Sequence, residues 1–318
     1  SLIQNSNKNT NYDILILTKD MSIQNKNKIK LLEKSNCCIR FIEFEDGIFS
    51  KTITDNTTYN IFTFFRLLIP SICRKYEKIL YLDSDIIVNR DVAELYNTNI
   101  ENYYAAAVLD YTVLSWQVMK YKQSLYAYLE SIDLTTPGTY MQGGVALYNI
   151  KKINKDFPSN KLIELANERQ YLLCDQDILN RYFKGKIKFV IPNWNVVVMP
   201  TVHLDFYNYY LPIEYYKEYI NGRKNPYIIH YSFQQIPCND LHVDMMEYFW
   251  KYARNTCFYE ELLLMLLSKN FKFKQQEQNL TPYEKKIIKY PKFVDKILPK
   301  GSRRREIIKD LVKKYLFK

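Results

Sequence analysis

Two carboxylates one residue apart, Asp83 and Asp85, close the apolar run Ile79-Leu80-Tyr81-Leu82, and apolar residues resume at Ile86-Ile87-Val88. A run of that length reads as a strand buried on both faces, as in a sheet covered by helices. Two ionised side chains at its end are costly to desolvate without a compensating cation. In open α/β sheets, ligands gather at the carboxyl ends of strands. The pair therefore points to a divalent-metal site holding a phosphate-bearing substrate. A bare Asp-x-Asp also fits a simple helix or turn cap. Gly143-Gly144, before another apolar run, marks a place where the backbone must approach a neighbour closely. Asp175 and Asp177 fit the N-cap and first turn of a helix, so capping alone would account for both.

The elements that must carry these residues alternate along the chain. Strands are expected at 12–18, 38–44, 79–82, 104–109, 140–149, 188–192 and 225–232, the last containing His230. Helices are expected near 22–33, 59–73 (with Arg66), 91–96, 159–170, 240–253 and 259–267. This alternation predicts an α/β fold with a mostly parallel central sheet and flanking helices. Residues 111–139 are aromatic and irregular, either a helix-bearing insertion or a substrate lid. The apolar stretch 262–267 reads as a short buried helix segment.

Composition narrows the function classes. Apolar content of 47% and charged content of 25% are ordinary for a globular chain, long enough at 318 residues for one large domain with an appendage. Only 7 glycines are present, and neither GxGxxG nor GxxxxGK[ST] occurs, which argues against glycine-rich phosphate loops. The six cysteines show no zinc-ligand spacing and read as free thiols of a reducing compartment. No secretory leader and no bilayer-length apolar stretch is evident, so a cytoplasmic location is expected. Net charge is +11, but residues 281–318 hold 13 Lys and Arg against 4 Asp and Glu, so that tail carries +9 and the rest +2.

Taken together, the Asp83-Ser84-Asp85 strand end, Arg66 on the preceding helix, Asp175-Gln176-Asp177 and His230 on a late strand resemble glycosyltransferase family 8. These are the retaining enzymes that include glycogenin and bacterial lipooligosaccharide galactosyltransferases. Tyr81 to Val88 matches the family's core motif, Gly144-Val145 through Asn149 with Lys151-Lys152 its GVxxxNxKK segment, Asp175 to Asn180 its DQDxLN segment, and Ile228-Ile229-His230-Tyr231 its final metal-ligand strand. Thr57-Thr58-Tyr59 through Leu68 looks like its helix before the DxD strand. The resemblance implies a GT-A fold, a UDP-sugar donor and Mn²⁺. It implies Asp83, Asp85 and His230 as metal ligands, a mixed oxygen and nitrogen set that suits Mn²⁺. Arg66, Ser84 and Gln235 are then expected at the donor, and Gln142, Gly143 and Gly144 at substrate. Asp110, Asp175 and Gln176 fall where the family holds sugar hydroxyls and are the expected catalytic group. Arg66 also fits an ordinary ion-paired arginine, and His230 a buried structural histidine.

Three departures from the family stand out. Its first strand, with a nucleotide-holding Asp pair, should precede Ser1, where this chain already looks like the end of the first helix. Gln142 replaces a usual Asn, and Ile236 and Cys238 replace the Lys and Trp of the family's HY…KPW turn. The expected organisation is a GT-A domain over 1–270, lacking that strand, and a basic helical tail over 271–318. The tail places Ile307, Ile308, Leu311, Val312, Tyr315 and Leu316 at helical spacing among Lys and Arg. That pattern fits either a solvated helix or docking on an anionic membrane surface. The leading expectation is a hexosyltransferase moving galactose or glucose to a bacterial surface glycan, lipid-linked or protein-linked, with no nucleic-acid partner. The competing readings are a haloacid-dehalogenase-like phosphatase and a degenerate, non-catalytic binding protein.

Overall fold

The computed structural model describes residues 1–44, 61–118, 123–158, 160–198, 207–232 and 235–278. The basic tail from 281, residues 57–59 and His203 lie outside the described residues. The chain divides into two compact units, Ser1–Val198 with Tyr210–Ser232, and Met199–Tyr209 with Phe233–Lys318.

The first unit carries nine strands among the described residues. Strand β1 (Tyr12–Thr18) crosses through the helix Ile23–Lys30 to a parallel partner, β2 (Cys37–Glu43). Ser22 starts that helix by accepting a bond from the Asn25 N–H on its hydroxyl at 3.2 Å. A four-stranded sheet follows, ordered β3 (Lys78–Leu82), β6 (Met141–Asn149), β5 (Ala105–Leu109) and β7 (Ile187–Phe189). A third sheet joins β4 (Ile86–Val88), β9 (Ile228–His230) and β8 (Val196–Val197).

The α/β architecture matches the expectation, but the sheets are mixed. β6 runs antiparallel to both β3 and β5, while β5/β7 and β8/β9 are parallel. The register Leu109↔Met141 shows why: the chain leaves β5 and returns to β6 at the same end of the sheet. Helix–strand alternation reports composition of layers, and strand direction depends on which end the connection returns to.

β5 is buried throughout and β6 nearly so, with Ala105, Ala106, Ala107, Ala146 and Leu147 at the sheet centre. β3, expected to be buried on both faces, is half-buried along its whole length. The helix Cys174–Tyr182 packs its Ile178 and Leu179 into the same core, each worth about 1.5–3 kcal/mol of apolar burial. The segment expected as one helix over 59–73 is a 3₁₀ stretch, Ile61–Leu68, followed by a single helical turn, Ile69–Ile72. Pro70 explains the break, since its ring would clash with the carbonyl of residue 66 in a continuous α-helix. Residues 111–139 contain two helices, Tyr111–Val118 and Gln123–Ser131.

In the second unit, Trp250 of the helix Met246–Ala253 meets Phe249 and Tyr259 edge-on. The helix Tyr259–Gln278 begins where expected but runs longer. Its segment 262–267 is not a buried core piece, because Leu264, Met265 and Leu267 are exposed and Leu266 is buried. Consecutive apolar residues point to all sides of a helix, so one packing face covers only some of them.

Candidate active site

The site forms where one strand hands the chain from one sheet to another. Beyond β3, the Asp83 N–H still donates to the Gly144 carbonyl at 2.8 Å, extending the ladder with β6. Three residues on, Ile86 pairs with His230 in the third sheet, and the Tyr231 N–H donates to the Asp85 carbonyl at 2.8 Å. Asp83-Ser84-Asp85 thus spans the junction, and the pairing fixes His230 beside both carboxylates.

His230 Nε2 stands 3.5 Å from Asp83 Oδ2 and 3.2 Å from Asp85 Oδ1, and the three candidate ligand atoms lie within 4.8 Å of one another. Adjacent ligands around a divalent cation with bonds of about 2.1 Å stand about 3 Å apart, so the cluster fits such an ion. Two hard oxygens with one imidazole nitrogen are a donor set compatible with Mn²⁺. Asp83 divides its oxygens. Oδ2 faces His230, while Oδ1 accepts from the Tyr81 hydroxyl at 2.6 Å and from Arg66 Nη2 at 3.1 Å. Burial works against the Asp83 charge, but Arg66, His230 and Tyr81 together hold its carboxyl below the usual range. For His230 burial again opposes charge, and the facing Asp85 and Asp83 outweigh it, so its proton is held more tightly than usual.

Arg66 is itself 7% exposed. It lies over the Tyr81 ring, 4.7 Å from its centroid, and its Nε sits 2.7 Å from Asp175 Oδ2. Asp175 is therefore no helix cap: Leu173 occupies the cap position of Cys174–Tyr182, and the Asp175 carboxylate turns toward Arg66. Burial pushes Asp175 up to about 7, with Arg66, shared between two carboxylates, pulling only part of the way back. Asp177 does serve the helix start. It accepts the Leu173 N–H at 2.8 Å and the hydroxyls of Tyr128 and Tyr140 at 2.5 Å each.

The next residue along, Gln176, has both ends of its amide engaged. Its Nε2 donates to Asp110 Oδ2 at 3.0 Å and its Oε1 accepts from the Gly143 N–H at 2.7 Å. Asp110 also caps Tyr111–Val118 by accepting the Val113 N–H at 2.9 Å. Burial raises the Asp110 carboxyl, with the Val113 and Gln176 donors opposing. The paired glycines are where these groups converge. A methyl on Gly144 would overlap the His230 ring and stand 2.6 Å from Asp83 Oδ2, and one on Gly143 would stand 2.8 Å from Arg66 Nη1. The close approach expected from the sequence is that of the His230, Asp83 and Arg66 side chains.

The structure thus brings Arg66, Asp83, Asp85, Asp110, Gln142, Gly143, Gly144, Asp175, Gln176 and His230 into one network. Ser84 is exposed, and Gln235 belongs to the second unit. Sequence reasoning missed Tyr81 and Asn195. Tyr81 sits inside the apolar run and reads as core. Asn195, buried at 3% exposure, places its Oδ1, an acceptor, 3.2 Å from His230 Nδ1. Its only signal in sequence is a polar residue wedged between Trp194 and the Val196–Val197 strand.

A Haemophilus influenzae protein named as a glycosyltransferase is 30% identical over 200 residues, covering 61% of this chain and 57% of its own length. The lipopolysaccharide 1,3-galactosyltransferase of Salmonella typhimurium is 31% identical over 150 residues, 45% of this chain and 41% of that protein. Among solved structures, the bifunctional glycosyltransferase WbbM superposes with a TM-score of 0.72 at 27% identity, over 84% of this chain and 48% of WbbM. The chain thus spans about half the length of these relatives. The model of glycosyl transferase family 8 matches residues 1–236, and the chain belongs to that family.

Proposed function

We propose that this chain is a retaining, Mn²⁺-dependent hexosyltransferase that moves galactose or glucose from a UDP-sugar to a bacterial surface glycan. The observation that carries the reading is the Asp83, Asp85 and His230 cluster, with its ligand atoms within 4.8 Å and Arg66 paired behind it. Membership of the family, and the galactosyltransferase name of the Salmonella relative, support the reaction class and the sugar. A haloacid-dehalogenase-like phosphatase finds no support in these relatives.

When bound, a divalent cation would supply Lewis-acid neutralisation of charge on a departing diphosphate. Asp83, Asp85 and His230 would hold it, and Tyr81 and Arg66 would keep Asp83 turned toward it. Arg66 keeps its full positive charge and, on the buried side, orders Asp83 and Asp175 together. Gln176, with its amide oxygen on the Gly143 N–H and its amide nitrogen on Asp110, is a fixed dipole and a poor nucleophile. That favours a front-face displacement in which Asp175, Gln176 and Asp110 orient the sugar and the acceptor hydroxyl loses its proton to the leaving phosphate.

The test is a donor screen that follows hydrolysis of UDP-galactose, UDP-glucose and UDP-N-acetylglucosamine with Mn²⁺ and with EDTA. Turnover of one hexose donor is expected with Mn²⁺, and its loss in EDTA and in Asp85→Asn. Turnover that persists in EDTA would remove the metal from the mechanism. UDP binding without any turnover would make the chain a binding protein.

A further inference from the structure

We propose that Asn195, oriented by Gln142, is a positioning residue that sets the tautomer of His230 and so aims its Nε2 lone pair at the metal position. The inference rests on the reading of Asp83, Asp85 and His230 as a divalent-cation site.

The backbone N–H of Gly144 can only donate, and it points at the Gln142 side-chain amide, 2.7 Å away. The amide atom facing it must be the oxygen, Oε1. That same oxygen lies 2.5 Å from the Asn195 amide, so the Asn195 atom facing it must be a donor, Nδ2. Asn195 Oδ1 is thereby turned the other way, 3.2 Å from His230 Nδ1. An amide oxygen accepts and cannot donate, so Nδ1 must carry a hydrogen. In the neutral ring the lone pair is then on Nε2, the nitrogen that faces Asp83 and Asp85. A backbone hydrogen on β6 decides, through two side-chain amides, which nitrogen of His230 is free to ligate.

The rest of the fold holds this relay in place. Asn195 ends the 3₁₀ turn Pro192–Asn195, which leads straight into β8, and β8 pairs in parallel with β9 so that Val197 stands opposite His230. Asn193 accepts the Tyr227 N–H on its carbonyl at 2.8 Å, and Trp194 meets the Tyr227 ring at 4.9 Å. Asn195 and His230 are both buried, at 3% and 2% exposure, so water does not compete for Nδ1. Partners of this kind on a ligating histidine fix ring orientation and raise ligand basicity, and losing them costs about 10–100-fold in metal affinity. The relay also gives Gln142 a function: its oxygen is committed to Gly144 and Asn195, and its extra methylene relative to Asn sets the reach between them.

The tautomer is read directly by nitrogen NMR of the ¹⁵N-histidine-labelled chain without metal, which is tractable because the sequence has 3 histidines. Mn²⁺ affinity is read separately, by the electron paramagnetic resonance signal of free Mn²⁺. With the imidazole neutral, His230 in the wild type is expected to show a protonated Nδ1 and an unprotonated Nε2. Asn195→Ala is expected to lose that preference and to weaken Mn²⁺ binding by about 10–100-fold. Asn195→Asp keeps an acceptor for the Nδ1 hydrogen but sets an oxygen against Gln142 Oε1, so it is expected to keep the tautomer while losing the bond to Gln142. Should Asn195→Ala not fold, Gln142→Ala frees Asn195 to turn over and is expected to give a mixture of tautomers. A neutral wild-type ring protonated on Nε2 and not on Nδ1, or a tautomer unchanged in both alanine variants, would overturn the relay. A correct tautomer in a wild type that binds no Mn²⁺ supports the relay and refutes the metal site instead.

Discussion

At the scale of single residues, the site stores an electrostatic cost in Asp175. Its carboxyl lies at 1% exposure, neither oxygen meets a hydrogen-bond donor in good geometry, and Arg66 is shared with Asp83. Burial is the dominant effect and raises Asp175 to about 7. The unfolded chain has the ordinary value near 3.8, so between pH 4 and 7 the folded protein keeps a proton that the unfolded chain has lost. A group of this kind contributes stability that is fully present below pH 4 and is lost as pH rises through 7. Asp175→Asn has no such proton to lose. In metal-free protein, its stability relative to wild type should therefore rise from pH 4 to pH 7 and level off above, as read by urea unfolding at several pH values. A constant difference across that range would mean that Asp175 is ionised throughout. Its catalytic assignment is independent of that outcome, since a sugar hydroxyl can donate to either form's carbonyl oxygen.

At the scale of elements, the helix Cys174–Tyr182 delivers Asp175 and Gln176, and its start depends on Asp177. Three donors converge on that buried carboxylate, the Leu173 N–H and the hydroxyls of Tyr128 and Tyr140. Asp177→Ala leaves those donors without an acceptor, and each orphaned group costs about 1–3 kcal/mol. The urea midpoint should fall by the equivalent of about 2–5 kcal/mol with the slope unchanged, and Asp177→Asn, which keeps one acceptor, should lose less. A loss below 1 kcal/mol would mean the helix is held by Ile178, Leu179 and Asn180 alone. Much of this was open to a reader of the sequence, because β1, β5, β6 and the start of the 174–182 helix follow from apolar runs and polar punctuation. Strand direction was not, since an apolar run has no sign. Nor could Asp175 and Asp177 be told apart: both suit a helix start, and only the position of Arg66, 109 residues earlier in sequence, draws one of them away. The partial exposure of β3 has the same character: it depends on what lies alongside, which local composition does not encode. The break at Pro70 is the opposite case, a local signal that the single helix expected over 59–73 passed over.

At the scale of the molecule, charge is laid out in two separate ways. Most of the +11 lies in residues 281–318, while the first unit concentrates acid at one point, with Asp83 and Asp175 paired to Arg66 and Asp85 to His230. Without a cation, the fold maintains Asp83 and Asp85 next to each other against repulsion, with a tightly held proton on His230 as partial relief. A divalent ion held by Asp83, Asp85 and His230 would replace that proton and offset both carboxylates, so metal binding and folding of this unit should be linked. Mn²⁺ at 100 times its dissociation constant adds about 2.7 kcal/mol to the folded state, enough to raise the melting temperature by roughly 5–10 °C. Differential scanning calorimetry should show that rise, titration calorimetry in buffers of different ionisation enthalpy should show one proton released per Mn²⁺ bound below neutral pH, and Asp85→Asn should show neither effect. The proton count makes the experiment selective. Nonspecific Mn²⁺ on surface carboxylates displaces no histidine proton, so a stabilisation without proton release would point away from His230 as a ligand. The same displacement sets the sign of the pH dependence: His230 holds its proton more tightly than an ordinary imidazole, so Mn²⁺ affinity should fall as pH drops through and below its raised pKa.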